Sequence, residues 1–265
     1  APGTRNSDFV FSKDGAVVVW SQVTPGDPNY DIMLAQTSAP ETRRVGLEGQ
    51  GAMAPTAISP DGRRILISRY NSIAFVELFV LDVASGQLTQ VGPADRNVFY
   101  EGAAFVDGGA GVLTLSDDGS EVARPVVFDL ATGAMRDLAP GSQWGAEAFD
   151  ISPDGKTVAY MVNEEGYSKV LLRDVASGRL LKGPDLPKGV LTALKFSKDG
   201  ARLGLSLSTS TTSGDVWDYE LASGQLTRWT QSELGGLDAA RLVEPVLFRY
   251  ATFDDRSIPA FIYRP

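Results

Sequence analysis

The chain has 265 residues, 24 of them basic and 33 acidic, for a formal net charge of −9. With 43% apolar and 22% charged residues it is not globally disordered; its acidity argues against nucleic acid and anionic membranes as partners, and no apolar run approaches the roughly 20 residues of a membrane span. It has no cysteine and no histidine, which removes disulfides, thiol nucleophiles, thiolate metal sites and every Ser-His-Asp or Cys-His arrangement.

The chain opens at Ala1 without an initiator methionine or a signal peptide and stops at Pro265 after a strand-like run. The expectation is a fragment or a processed product. From the first residues onward one pattern recurs. A short apolar strand ends in a Ser-x-Asp-Gly turn at Phe11-Ser12-Lys13-Asp14-Gly15 and again at Ile58-Ser59-Pro60-Asp61-Gly62. A degraded copy follows at Phe105-Val106-Asp107-Gly108-Gly109, then full copies at Ile151-Ser152-Pro153-Asp154-Gly155 and Phe196-Ser197-Lys198-Asp199-Gly200. The glycines lie about 45–47 residues apart. A second turn keeps phase with the first, from Asp82 to Gly86, Asp129 to Gly133, Asp174 to Gly178 and Glu220 to Gly224; in the first repeat Gln36 to Glu41 takes this place without glycine.

The turn residues carry a mechanism. Proline pre-sets φ for a type I turn and glycine accepts the left-handed residue that follows, so Gly62, Gly155 and Gly200 should have positive φ. Between the turns lie β-branched and aromatic runs too short for helices: Ala16–Trp20, Arg64–Ser68, Glu77–Leu81, Thr157–Val162, Val170–Arg173 and Arg202–Leu207. Four strands in about 46 residues is the period of a β-propeller blade. The expected blades span 7–48, 53–95, 98–141, 144–189 and 190–234. A closed five-bladed ring and a seven-bladed ring without its first two blades both fit. A four-stranded meander places Asn163–Ser168, Ser116–Glu121 and Ser208–Gly214 at the end opposite the Asp-Gly turns, on the rim expected to carry function. After Gly235 the repeat stops. Phe253 to Tyr263 reads as strand, Asp-Asp turn, strand.

The blades resemble TolB-like propellers. Val162-Asn163-Glu164-Glu165-Gly166-Tyr167-Ser168 is similar to the inter-strand loop of a late blade in bacterial peptidases of the prolyl oligopeptidase family. So are Ser206-Leu207-Ser208 running into Ser213-Gly214-Asp215-Val216-Trp217, and Leu226-Thr227-Arg228-Trp229-Thr230 with Gly235-Gly236-Leu237 and Val243-Glu244-Pro245. Arg249-Tyr250 through Phe253-Asp254, and Ile258 through Pro265, resemble the strand pair leading into that family's α/β-hydrolase domain. Arg5-Asn6-Ser7 into Phe11-Ser12 looks like the start of an early, not first, blade. The resemblance implies residues 1–243 as propeller blades of a seven-bladed ring and 244–265 as the lead-in to an absent hydrolase domain. The catalytic serine, acid and histidine would sit on that domain; no Gly-x-Ser-x-Gly elbow occurs here, so no catalytic residue is assigned.

Other residues have rival readings. Glu101 and Glu147 each lie five residues before the turn-starting position of their blade, so both should begin inner strands and face a central channel. Paired channel carboxylates suit glycoside hydrolysis or capture of a peptide's amino terminus, or are simply solvated. Asp117-Asp118-Gly119-Ser120-Glu121 is oxygen-rich but lacks EF-hand spacing and reads as a polar hairpin. Gly108-Gly109-Ala110-Gly111 lacks the lysine of a phosphate loop. Trp20, Trp144, Trp217 and Trp229 read as blade packing.

The sequence is therefore read as an all-β, non-catalytic propeller that gates short peptides for a serine peptidase. Glu101, Glu147, Asn163, Glu164, Glu165 and Tyr167 are the candidate channel or gating residues. No cofactor and no metal are expected. The expected partners are the missing hydrolase domain and a peptide substrate, with self-association through open blade faces. A stand-alone propeller binding a protein and a five-bladed glycosidase are the alternatives. The compartment, bacterial cytoplasm or periplasm, is left open.

Overall fold

The computed structural model describes residues 3–264, apart from the side chain of Ala239; Ala1 and Pro265, the expected cut ends, lie outside them. Among the described residues the strands form five four-stranded antiparallel sheets and one two-stranded sheet, each in sequence order. The first sheet holds β1 (Arg5–Phe11), β2 (Val17–Val23), β3 (Asp31–Gln36) and β4 (Ala39–Leu47). The second holds β5 (Ala52–Ile58), β6 (Arg64–Ser72), β7 (Phe75–Asp82) and β8 (Leu88–Val91). The third holds β9 (Tyr100–Val106), β10 (Gly111–Ser116), β11 (Arg124–Asp129) and β12 (Met135–Asp137). The fourth holds β13 (Ala146–Ile151), β14 (Thr157–Glu164), β15 (Tyr167–Asp174) and β16 (Leu180–Leu181). The fifth holds β17 (Val190–Phe196), β18 (Arg202–Thr209), β19 (Thr212–Glu220) and β20 (Leu226–Arg228), and β21 (Val246–Ala251) pairs with β22 (Ser257–Ile262). These are the five expected blades, and a terminal strand pair is present too, but its first strand ends at Ala251 and Phe253 falls in the turn rather than on a strand. The chain divides into two compact units, Ala1–Gln143 with three blades and Trp144–Pro265 with two blades and the strand pair.

One turn is built four times. In each Ser-x-Asp-Gly copy the glycine N–H donates to the serine carbonyl at 2.8–2.9 Å, and the serine hydroxyl donates to the aspartate at 2.6 Å. The same hydroxyl accepts the N–H five residues on, at Val17, Arg64, Thr157 and Arg202. Gly15, Gly62, Gly155 and Gly200 have φ of 69–74°, as the turn chemistry requires. The degraded third copy is a 3-10 turn over Asp107–Gly109 with left-handed backbone at all three residues. The first blade also departs from the pattern at its second turn: only Thr37 and Ser38 separate β3 from β4, and Thr42 Oγ1 accepts the Gln36 N–H.

The central strands of the second blade are apolar on both faces because each face meets a neighbouring blade. In the first unit Ile65, Ile67, Phe79 and Leu81 pack with Val19, Ile32 and Leu34 of the first blade. The intervening Leu66, Leu78 and Val80 pack with Val112, Val126 and Phe128 of the third. In the second unit Ala159, Met161, Val170 and Leu172 meet Leu203, Leu205, Leu207 and Tyr219. Polar ties reinforce these joints: Arg64 Nη2 donates to Gly109 O at 2.8 Å, and Asp150 accepts from Lys195 Nζ and the Phe196 N–H. Trp20 and Trp217 pack into blades as expected. Trp229 differs: it lies past the end of β20 and is 66% exposed.

The first strand of every blade carries a register shift with one extra residue, near Asp8, Thr56, Gly102, Glu147 and Thr192. Such bulges bend a strand and sharpen its twist. The repeat motifs do not announce them.

Candidate functional site

Asn163, Glu164, Glu165 and Tyr167 fall at the β14–β15 turn. The loop is two residues, Glu165 and Gly166, with φ of 55° and 92°, the type I′ backbone whose twist matches the flanking strands. Asn163 Oδ1 accepts the Gly166 N–H at 2.8 Å and closes the turn. Glycine suits this conformation; glutamate is strained in it. What Glu165 gains there is an ion pair with Arg249 of β21. Glu164 pairs instead with Lys169, at 2.7 Å.

Register explains how β21 and β22 reach the turn. They pair from Val246 opposite Ile262 to Ala251 opposite Ser257, so alternate residues fall on two faces. One face carries Arg249 and Phe261. Phe261 meets Tyr167 edge-on, with ring centroids 4.9 Å apart, an arrangement aromatic pairs favour. Gly166 makes room for it: a Cβ there would lie 2.4 Å from the Phe261 ring. The other face carries Val246, Phe248, Tyr250, Ile258, Ala260 and Ile262, and the first four of these are exposed. A hairpin thus grips the fourth blade with one face and leaves an apolar face open.

The fifth blade completes the surroundings. Ser168 donates its N–H to Gly189 O at 2.8 Å and accepts the Leu191 N–H on its hydroxyl at 2.9 Å, which fixes the entry to β17 beside the turn. Gly189 passes so near β18 that a Cβ would lie 2.2 Å from Ser208 O. Between these parts is a cavity of about 340 Å³. It is bounded by Gly166, Tyr167, Lys188 to Val190, Ser208 to Ser210, Glu244, Pro245, Phe261 and Tyr263. Lys188 Nζ sits 5.7 Å from the centre of the Tyr167 ring, within cation–π range. Burial raises the Tyr167 phenol above its usual range, and Tyr263 and Glu244 push the same way, so its hydroxyl stays protonated and able to donate. The β14–β15 and β18–β19 turns therefore share one end of their blades, opposite the Asp154 and Asp199 turns, as the strand order predicts.

Glu101 is the second residue of β9 and Glu147 the second of β13, where strand starts are expected. Both side chains are exposed. Glu147 is the extra residue of its bulge and Glu101 flanks the bulge of its own strand. They belong to different units. The acidic Asp117–Glu121 segment is a braced hairpin: Asp117 Oδ1 accepts the Phe99 N–H at 2.9 Å, and Asp118 holds the Arg96 guanidinium at 2.8–3.0 Å.

Lys188 is not singled out in the sequence, and Arg249, Glu244 and Tyr263 enter it only as parts of the resembling tail, not as candidate site residues. The matched alternation of 246–250 with 258–262 sorts Arg249 onto one face; nothing comparable signals the other three. The side chains around the cavity offer charge, hydroxyls and rings. They can recognise a ligand, and with no histidine in the chain the serines there lack the usual activating base.

No protein-family model and no curated protein matches the sequence. Solved structures do match. Prolyl oligopeptidase B from Galerina marginata, bound to a 35mer hydrolysis and macrocyclization substrate, is 14% identical, with a TM-score of 0.79 over 99% of this chain and 39% of its own. A puromycin-hydrolyzing peptidase of Mycobacterium tuberculosis is 19% identical, with a TM-score of 0.77 over 99% of this chain and 43% of its own. TolB from Acinetobacter baumannii is 20% identical, with a TM-score of 0.61 over 86% of this chain and 55% of its own. The chain spans less than half the length of the two peptidases. At these identities the likeness shows the fold, a β-propeller of four-stranded blades.

Proposed function

We propose that the chain is the propeller portion of a serine peptidase of the prolyl oligopeptidase type, and that it gates short peptides toward an α/β-hydrolase domain outside these 265 residues. The observation that carries this reading is the hairpin of β21 and β22. It is clasped to the fourth blade by Arg249 and Phe261 and turns Val246, Phe248, Tyr250 and Ile258 outward. An exposed apolar sheet face of that kind is a surface awaiting cover, and the hairpin sequence resembles the strands on which that family's hydrolase sheet begins. The likeness to two peptidases over 99% of the chain supports the same reading. The catalytic serine, acid and histidine then belong to the hydrolase domain, and this portion is inactive alone.

In this reading the β14–β15 turn, with Asn163, Glu164, Glu165 and Tyr167, stands where the propeller meets the catalytic domain. Gating is tested on the polypeptide that carries both parts, with peptides of graded length. Glu165→Arg sets two cations against each other and opens the clasp. The variant is expected to cleave longer peptides than the parent does. An unchanged length limit at unchanged rates contradicts the gate. A stand-alone propeller that binds a protein partner is the second reading, favoured by the likeness to TolB; it leaves the clasped hairpin without a purpose.

A further inference from the structure

The cavity beside the clasp has an unusual set of unspent groups. Among the described residues, neither Lys188 nor Glu244 makes a hydrogen bond or an ion pair, although both border the cavity. The rings of Tyr167, Phe261 and Tyr263 form the rest of its charged and aromatic lining, beside the hydroxyls of the 208–210 segment. The first unit offers a contrast. Its cavity of about 310 Å³ between the second and third blades also has charged walls. There, however, Arg64 is bonded to Gly109 O, Asp82 to Ser85 and Asp129 to Thr132.

We infer that the cavity between the hairpin and the fourth and fifth blades is a binding site for a small zwitterion bearing a ring, an aromatic amino acid or a dipeptide that ends in one. One cation and one anion border the same space, so a ligand with a free carboxylate and a free ammonium satisfies both walls. A carboxylate goes to Lys188 and the neighbouring hydroxyls, and an ammonium goes to Glu244. The ligand's ring lies among the three aromatic side chains. A volume of about 340 Å³ is at the small end of ligand pockets, roughly 300–1,000 Å³, which suits a dipeptide and excludes a long one.

The walls come from two sources. Glu244, Phe261 and Tyr263 belong to the hairpin and its approach, whereas Tyr167 and Lys188 belong to the blades. The site is whole only while the hairpin is docked, so a ligand that fills it strengthens the clasp by linkage. The proposal rests on the docked hairpin but not on catalysis: its test reads binding to this chain alone, so its failure leaves the peptidase reading standing.

Titration calorimetry of the purified chain with glycyl-phenylalanine tests the assignment, with the N-acetylated, C-amidated dipeptide as the uncharged control. Saturable one-to-one binding is expected for the free dipeptide and none for the blocked one. Lys188→Met and Glu244→Gln, both at exposed positions, should keep the circular dichroism of the parent and each weaken binding about tenfold, as loss of a charged hydrogen bond does. Bound dipeptide should also slow amide exchange in residues 246–262. Absence of saturation overturns the proposal. So does equal binding of the blocked dipeptide, or unchanged affinity in both variants.

Discussion

Asp14, Asp61, Asp154 and Asp199 each accept a hydrogen bond from the serine two residues before them, and this bond, above all, holds their carboxyls below the usual range. The sign of the pH effect follows. The unfolded chain binds protons in a range where the folded chain does not, so the contribution is full above the ordinary carboxylate pKa and is lost as pH falls through the depressed folded value. Asp61→Asn should therefore lower the denaturation midpoint at neutral pH and flatten its decline below about pH 4; an acid decline as steep as the parent's contradicts this. At Gly62 a Cβ would meet nothing within 4 Å, and φ is +69°, so Gly62→Ala costs backbone strain alone, about 1 kcal/mol by urea denaturation. These turns are legible in the sequence because their chemistry is local: serine, aspartate and glycine within four residues determine one another. Lys188 and Glu244 are not legible, because only the fold-back of the hairpin sets them around one cavity.

The blades follow from short apolar strands between turns that keep phase, and the central strands reveal themselves by being apolar on both faces. Ile65, Leu66 and Ile67 read as one continuous run because alternate members serve different neighbours. The bulge in each first strand is hidden, since the residues at it, Asp8, Thr56, Gly102, Glu147 and Thr192, share no common type. The clasp is hidden for another reason: glutamate at a type I′ position argues against the turn it occupies, and only its partner Arg249 explains it. Two variants separate strain from charge. Glu165→Asn suits the type I′ backbone and should leave blade stability equal or higher while loosening the hairpin. Gly166→Ala drives a methyl group into Phe261 and should displace the hairpin outright. Hydrogen exchange over residues 246–262 is the readout, expected to rise in both variants and more in Gly166→Ala. Parent-like protection in both would show that neither contact holds the hairpin.

Across the whole chain, apolar surface stands open in two places, among others, of the described residues. One is the outer side of the hairpin. The other is the first blade's, where Phe9, stacked beside Trp20, and Phe11 are 55% and 58% exposed. Substituting Phe9 and Phe248 by serine should reduce concentration-dependent association in sedimentation if these faces seek partners. Composition bears on the proposed function: without histidine the chain cannot assemble a Ser-His-Asp triad. The proposed peptidase reading therefore assigns the catalytic groups to a further domain that continues from the hairpin. The most direct measurement uses an antibody raised against the purified chain. The native polypeptide it captures is treated with a fluorophosphonate probe, beside the 265-residue chain alone. The account predicts labelling of a captured polypeptide longer than 265 residues and none of the isolated chain. Stoichiometric labelling of the isolated chain, or capture of a full-length polypeptide that the probe does not label, would contradict it.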